Sequence, residues 1–258
     1  MHFELVTTKA TAPGAAGAAG APNTGDSLTI KNGRGEISVI SMWSSRQVAG
    51  FSQIVVPSGH DTTRNYRAGV AIAAGALTAP LDFRMRVDAQ ELVANTIAGS
   101  GVAGDIELDS MLIFYADFPG ISMRSLTADQ VESRVEKFTT VEASVAAVAT
   151  GEYSTEAITA DSDLLKANRD YAVMGMSSRT AAHALIVQAP DFGNVRVGCP
   201  GNLRPELTNQ WFMLQSRVQG KPLVPVFSTG NKAQVNVGFC SDENAAATLI
   251  TLYLALLK

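Results

Sequence analysis

Ser44-Ser45-Arg46 returns as Ser177-Ser178-Arg179, 133 positions further on, and the match runs past the triplet: Ala49 falls on Ala182 and Pro57 on Pro190. That makes five identities in the fourteen columns from Ser44 to Pro57, where this composition gives about one by chance. An apolar run leads into each copy, Ser38-Val39-Ile40-Ser41 into the first and Tyr171-Ala172-Val173-Met174 into the second. Further out, Phe3 and Val6 lie 135 positions before Phe138 and Val141, and Leu92-Val93 lies 131 before Leu223-Val224. Tyr115, which closes Met111 to Tyr115, lies 138 before Tyr253, which closes Leu249 to Tyr253. The order is kept while the offset wanders, as it does when two copies of one fold change length in their loops. A period this long indicates two domains, not a solenoid.

Length agrees, since 258 residues hold one large domain or two of ordinary size. Hydrophobic residues at 46% supply two cores, and charged residues at 17% are too few for a disordered chain. The formal net charge of −4, with no dense Lys/Arg run, leaves no electrostatic footprint for nucleic acid or an anionic membrane. Ala68 to Leu81, the longest nearly apolar stretch, is broken by Gly69, Gly75 and Pro80 and falls short of the roughly 20 residues of a membrane-spanning helix. Met1-His2-Phe3-Glu4 does not open a signal peptide, so synthesis in the cytoplasm without export is expected. Cys199 and Cys240 flank strand-like runs and read as buried free thiols.

Along the chain, Phe3 to Thr8 reads as a strand, and Ala12 to Asn23 as an Ala/Gly-rich loop, either flexible or packed under a neighbouring subunit. Ser27 to Ile30 and Glu36 to Trp43 flank Asn32-Gly33, a hairpin signal because both residues tolerate positive φ. Strands are further predicted at 51–56, 83–87, 91–95, 105–108 and 110–115. Phe118-Pro119-Gly120 is a stop, and Thr127 to Lys137 reads as a helix: Thr127-Ala128-Asp129-Gln130 fits a capping box, with Val131, Val135 and Phe138 on one face. Strands resume at 139–148, 152–158, 171–176, 184–188, 194–197, 211–216, 223–227, 233–239 and 248–256. The fold predicted is all-β: two tandem eight-stranded jelly rolls, 1–118 and 137–258, joined by a short helical connection over 119–136.

No constellation carries chemistry. Gly99-Ser100-Gly101-Val102-Ala103-Gly104 matches a dinucleotide fingerprint, but Asp105-Ile106-Glu107-Leu108 alternates like a strand where a helix is needed. His2, His60 and His183 lack metal-site spacing. A Ser-His-Asp triad assembles only in space, yet neither repeated serine pair lies in a G-x-S-x-G elbow. The triplets read as strand ends whose Arg46 and Arg179 anchor a neighbouring carboxylate or carbonyl. Asp105 with Asp109, Asp161 with Asp163, and Asp242 with Glu243 read as solvated loop charge, since Ca²⁺ needs several converging oxygens. The sequence thus assigns no catalytic, cofactor-binding or metal-binding residue, and the chain reads as a non-enzyme.

Two similar all-β domains in tandem, joined by a short helical connection in a chain of this size, resemble the double jelly-roll major capsid proteins of tailless icosahedral phages with an internal membrane, of the tectivirus and corticovirus type. The small N-terminal segment near Ala12 to Asn23 and the apolar final strand Leu249 to Leu256 are similar too. The chain is short for such proteins, leaving little room for tower-like insertions. The resemblance implies self-assembly: homotrimers of pseudo-hexagonal outline, neighbouring capsid trimers as partners, minor capsid or internal-membrane proteins beside them, no direct nucleic acid binding, and a place in the virion. The rival expectation is a tandem β-sandwich that binds carbohydrate or another ligand. Sugar sites usually stack on exposed aromatics, and the two Trp, five Tyr and ten Phe lie mostly inside strand-like runs.

Overall fold

The computed structural model describes residues 1–11, 23–46, 51–58, 66–67, 75–78, 83–98, 106–120, 122–158, 164–180, 182–201, 204–241 and 247–258. The fold is all-β with a few short helices. Two compact units make up the chain, Val6–Pro119 and Gly120–Lys258, the second also taking Met1–Leu5. The Ala/Gly-rich loop predicted from Ala12 lies outside the described residues as far as 22, and β2 opens at Asn23.

The first unit is built from β1 (His2–Thr11, the part from Val6 onward), β2 (Asn23–Thr29), β3 (Arg34–Arg46), β4 (Phe51–Val55), β5 (Tyr66–Arg67), β6 (Gly75–Thr78), β7 (Met85–Arg86), β8 (Leu92–Ala98) and β9 (Ile106–Asp117). One sheet runs β1-β9-β3-β6 with the two-residue β7 also on β3, and the other runs β2-β8-β4-β5. The long pair at the centre, β3 and β9, sends Ile37, Val39, Met42, Met111, Ile113 and Tyr115 into one core with Val93 of β8 and Val87. Strict alternation fails between Val39 and Met42 because a bulge falls between Val39 and Ser41. The extra residue returns Met42 to the face that Ile37 and Val39 share.

The second unit holds β10 (Ser125–Leu126), α1 (Ala128–Arg134), β11 (Val135–Val145), β12 (Tyr153–Ala157), β13 (Asp170–Ser178), β14 (Ala184–Gln188), β15 (Val197–Pro200), α2 (Pro205–Thr208), α3 (Trp211–Gln219), β16 (Val224–Ser228), β17 (Asn236–Cys240) and β18 (Thr248–Leu257). Its sheets are β10-β16-β13-β18-β11 and β12-β17-β14-β15. With β7 and β10 set aside and the equally short β5 kept, each unit has eight strands among the described residues, and in order along the chain both units read 1-8-3-6 in one sheet and 2-7-4-5 in the other. This is the antiparallel jelly-roll arrangement.

The repeated triplet lies at the end of the third strand of each unit. Ser44-Ser45-Arg46 closes β3, opposite Asp109, Leu108 and Glu107 of the eighth strand. Ser177-Ser178 closes β13, opposite Thr251 and Ile250 of the eighth strand, and the Arg179 N–H bonds to the Leu249 carbonyl at 3.1 Å. Two other matched pairs are coincidences. Leu92-Val93 opens β8, the seventh strand of its unit, whereas Val224 opens β16, the sixth. Tyr115 faces Ile37 of β3, but Tyr253 faces Gly175 of β13, so the two tyrosines hold different registers on their third strands.

Three local readings are corrected. Asn32-Gly33 closes no hairpin, because β2 pairs with β8 and β3 with β9. Strands two and three of the unit lie in different sheets, so the pair spans from one sheet to the other. Trp211 to Ser216 is not a strand but the start of α3, which ends at Gly220 in the left-handed region with φ 63°. Its aromatic residues raise the β-propensity, while Trp211, Phe212, Gln215 and Ser216 are buried at helical spacing. The helix predicted over Thr127 to Lys137 lies within the second unit and ends at Arg134, and Val135 and Phe138 belong to β11. Its start is as expected: Gln130 N–H donates to Thr127 Oγ1 at 3.2 Å and Thr127 N–H to Gln130 Oε1 at 2.9 Å, a complete capping box.

Candidate functional site

The connection between β15 and β16 carries α2 and α3 back across β13. The closest approach is at Gly175, where a Cβ would stand 2.6 Å from the Asn209 carbonyl carbon and collide with the Thr208 carbonyl oxygen. Only a residue without a side chain lets this backbone lie so near the strand. α1 packs against α3, fastened by the Ala128 N–H donating to Ser216 Oγ at 2.9 Å and by an ion pair between Arg217 and Glu132.

A groove of about 330 Å³ lies among these parts, lined by Val131, Val135, Phe138, Met174, Met213 and Tyr253, with Glu132, Arg217, Asn209 and Gln210 also in its wall. Val131, Val135 and Phe138 do share one face, though they reach it from a helix and the strand after it. Phe138 is 62% exposed. An apolar groove with an exposed aromatic at its rim is suited to contact.

Charged groups around this unit hold the fold. Glu136 accepts from Lys166 Nζ at 2.8 Å and from Arg169 Nη2 at 2.5 Å. The Lys166 and Arg169 hydrogen bonds hold its carboxyl down to about 2. Arg169 also donates to the Leu257 carbonyl at 2.6 Å, securing the end of β18. Asp191, in the 3-10 turn Pro190–Phe192, accepts from Arg124 at 3.2 Å, from the Ser228 N–H at 3.2 Å and from Asn231 Nδ2 at 3.3 Å.

The residues weighed for chemistry are dispersed. Ser177 Oγ lies 3.2 Å from the Tyr253 hydroxyl and Ser178 Oγ donates to the Thr180 carbonyl at 2.7 Å. Arg179 is exposed, and its guanidinium has no partner among the described residues. Its backbone N–H ties it to β18. His183 stands before β14, in the sheet opposite Ser177, and burial pushes its imidazole down to about 3. His2 is buried, with Nε2 3.8 Å from Glu4 Oε2. Asp109 is buried in β9. His60, Arg46's side chain, the glycine motif at 99–104, Asp105, Asp161, Asp163, Asp242 and Glu243 lie outside the described residues, and β9 opens at Ile106 directly after the motif. Among the described residues no three His, Cys, Asp or Glu side chains cluster as metal ligands. No helix among them is long and apolar enough to cross a membrane.

Cys199 and Cys240 are free and buried. Cys199 lies on β15 opposite Leu185 and Cys240 on β17 opposite Ala184, so β14 runs between them. Strands two apart in a sheet are separated by roughly 9–10 Å, beyond the reach of a disulfide. Burial raises the Cys199 thiol far above its ordinary range.

The fold thus defines a protein of two jelly-roll β-units, the second bearing an apolar groove. No family model matches the sequence, and no curated protein matches it. Among solved structures it is similar to the PBSX exported protein XepA, at 9% identity and a TM-score of 0.27, over 98% of this chain and 86% of that one. It is also similar to a chain of the Sulfolobus Turreted Icosahedral Virus, at 11% identity and a TM-score of 0.22, over 96% of this chain. The chain spans only 59% of that viral chain's length. At such scores neither protein lends its role to this one.

Proposed function

We propose that this chain is the major capsid protein of an icosahedral virus, assembling as homotrimers of pseudo-hexagonal outline within the virion. The observation that carries the reading is the identical strand order of the two units. Two similar wedges per chain and three chains per ring give six wedges, so a threefold particle tiles a near-hexagonal lattice. The reading also accounts for the dispersal of the candidate residues among those described, Ser177, His183, His2 and Asp109, and for a groove shaped for contact. Neighbouring trimers are the main partners, with minor capsid or internal-membrane proteins beside them. Nucleic acid is not a direct partner. A tandem carbohydrate-binding protein is less well supported, because the large aromatics Trp43, Tyr115, Tyr171 and Trp211 are buried in the cores and offer no platform for sugars.

Mass photometry of the purified chain at micromolar concentration tests the proposal. Three copies or a larger closed assembly is expected, held by contacts that bury more than about 2,000 Å². A stable monomer with no tendency to assemble refutes it.

A further inference from the structure

Asn32-Gly33 is the single Asn-Gly in the chain, and the fold does not use it as a hairpin turn. It lies in the connection from β2 to β3, in different sheets, and neither residue takes a positive φ. Glycine is needed at 33 for another reason: a Cβ there would stand 2.8 Å from Tyr115 Cδ1 and 3.3 Å from the Asp117 carbonyl oxygen. Tyr115 is a core residue, so the fold holds a bare glycine directly after Asn32. Asn32 is exposed, and its side-chain amide has no partner among the described residues. The Gly33 N–H is tied by a short-range bond to the Lys31 carbonyl at 2.9 Å, in a connection whose Lys31, Asn32, Arg34 and Gly35 are exposed.

We propose that Asn32 is a site of spontaneous deamidation that marks each copy of the protein with age. The Gly33 backbone nitrogen attacks the Asn32 side-chain carbonyl carbon. The bond from that carbon to the side-chain nitrogen breaks, and ammonia leaves with the proton that Gly33 gives up. The five-membered succinimide then takes up water at one of its two carbonyls and reopens, leaving aspartate or isoaspartate at position 32. Water is the only co-reactant. Glycine favours the attack because no side chain shields its nitrogen and its backbone turns freely. The product carries a new carboxylate beside Lys31, whose ammonium lies 5.9 Å over the Phe118 ring. In the isoaspartate form the connection between the two sheets lengthens by one backbone atom next to Tyr115. Repeated over every subunit of an assembly, a single added charge becomes a large change in surface potential.

The test is to incubate the folded protein, a urea-unfolded sample and the folded Asn32→Gln variant at mildly alkaline pH, then digest each and follow the asparagine peptides by mass. In the folded chain the peptide holding Asn32 should gain one mass unit, with isoaspartate present. Its rate should rise with pH and exceed that of every other asparagine by on the order of tenfold, the margin that an unshielded glycine neighbour gives. The Asn32→Gln protein should melt like the parent and show no such gain. Retention of the Asn32 amide in the folded chain while the unfolded chain loses it overturns the proposal, as does equally fast loss at the other asparagines.

Discussion

Replacing Gly175 by alanine tests how α2 and α3 are seated. The added methyl would overlap the Thr208 carbonyl oxygen and lie 2.6 Å from the Asn209 carbonyl carbon and 2.8 Å from its oxygen. These are main-chain atoms, so no side-chain rotation relieves the clash, and the α2–α3 connection must retreat by roughly 1 Å to restore normal contact. Overpacking of this kind costs about 1–3 kcal/mol, and a backbone clash belongs at the upper end. At about 2–4 °C per kcal/mol for a protein of this size, Gly175→Ala should lower the melting temperature by about 5–12 °C. Gly230→Ala is the control, because its methyl would meet only Ser228 Oγ at 3.7 Å; it should change stability by less than about 1 kcal/mol. Calorimetry gives the midpoints, and near-ultraviolet circular dichroism reports on Trp211, buried in α3. If Gly175→Ala melts with the parent and keeps its Trp211 signal, α2 and α3 do not lie against β13 as described.

The buried His183 makes stability depend on pH. Its folded-state pKa, pushed down to about 3 by burial from an ordinary 6.5, means that the unfolded chain takes up the proton first. Stability should therefore fall as pH drops below about 6.5, by up to about 1.4 kcal/mol per pH unit, and urea midpoints for the parent should decline more steeply than for a folded His183→Gln variant. Glu136 acts in a lower window: its carboxyl is held at about 2 against an ordinary 4.5, so its contribution is present above about 4.5 and lost toward 2. Asp191→Ala strands the Ser228 N–H and the Asn231 amide, while Arg124 keeps its ion pair with Asp170 at 2.5 Å, and should cost about 1–3 kcal/mol; Asp170→Ala, which removes that ion pair at a 40% exposed side chain, should cost under about 1 kcal/mol, both read from denaturant midpoints. Cys199 and Cys240 should resist thiol reagents until the protein is unfolded, with no change in melting temperature on adding reductant; a disulfide-linked peptide in a non-reducing digest would contradict the sheet order around β14.

The strand-three repeat was legible because both copies lie against the eighth strand of their sheets and leave it at the same place, so Ser-Ser-Arg marks a shared exit. The capping box at Thr127 was legible because it depends on four consecutive residues. The Asn32-Gly33 turn misled because a local hairpin preference says nothing of which sheet each strand joins, and the jelly-roll crossover decided that. α3 was hidden for a related reason: Trp211 and Phe212 favour strands locally, and the surface that buries them as a helix is supplied by β13 and β16. The groove was only partly visible. Val131, Val135 and Phe138 carry a helical spacing, but Met174, Met213 and Tyr253 come from three other segments that no spacing rule unites.

The two units differ most where the groove is built. Between the fifth and sixth jelly-roll strands the first unit has only residues 68–74, while the second has 201–223, which carry α2 and α3. The shared strand order therefore fixes a common sandwich, and the longer connection adds one contact surface that the first unit has no length to form. Loops absorb such changes at little cost to the core. On the proposed reading, a ring of three chains then presents six wedges of similar outline but only three grooves, so its true symmetry is threefold and each wedge is distinguishable from the next. That distinction lets a chain meet its neighbour in one sense around the ring and not the reverse, which a perfect repeat of two identical units would not enforce.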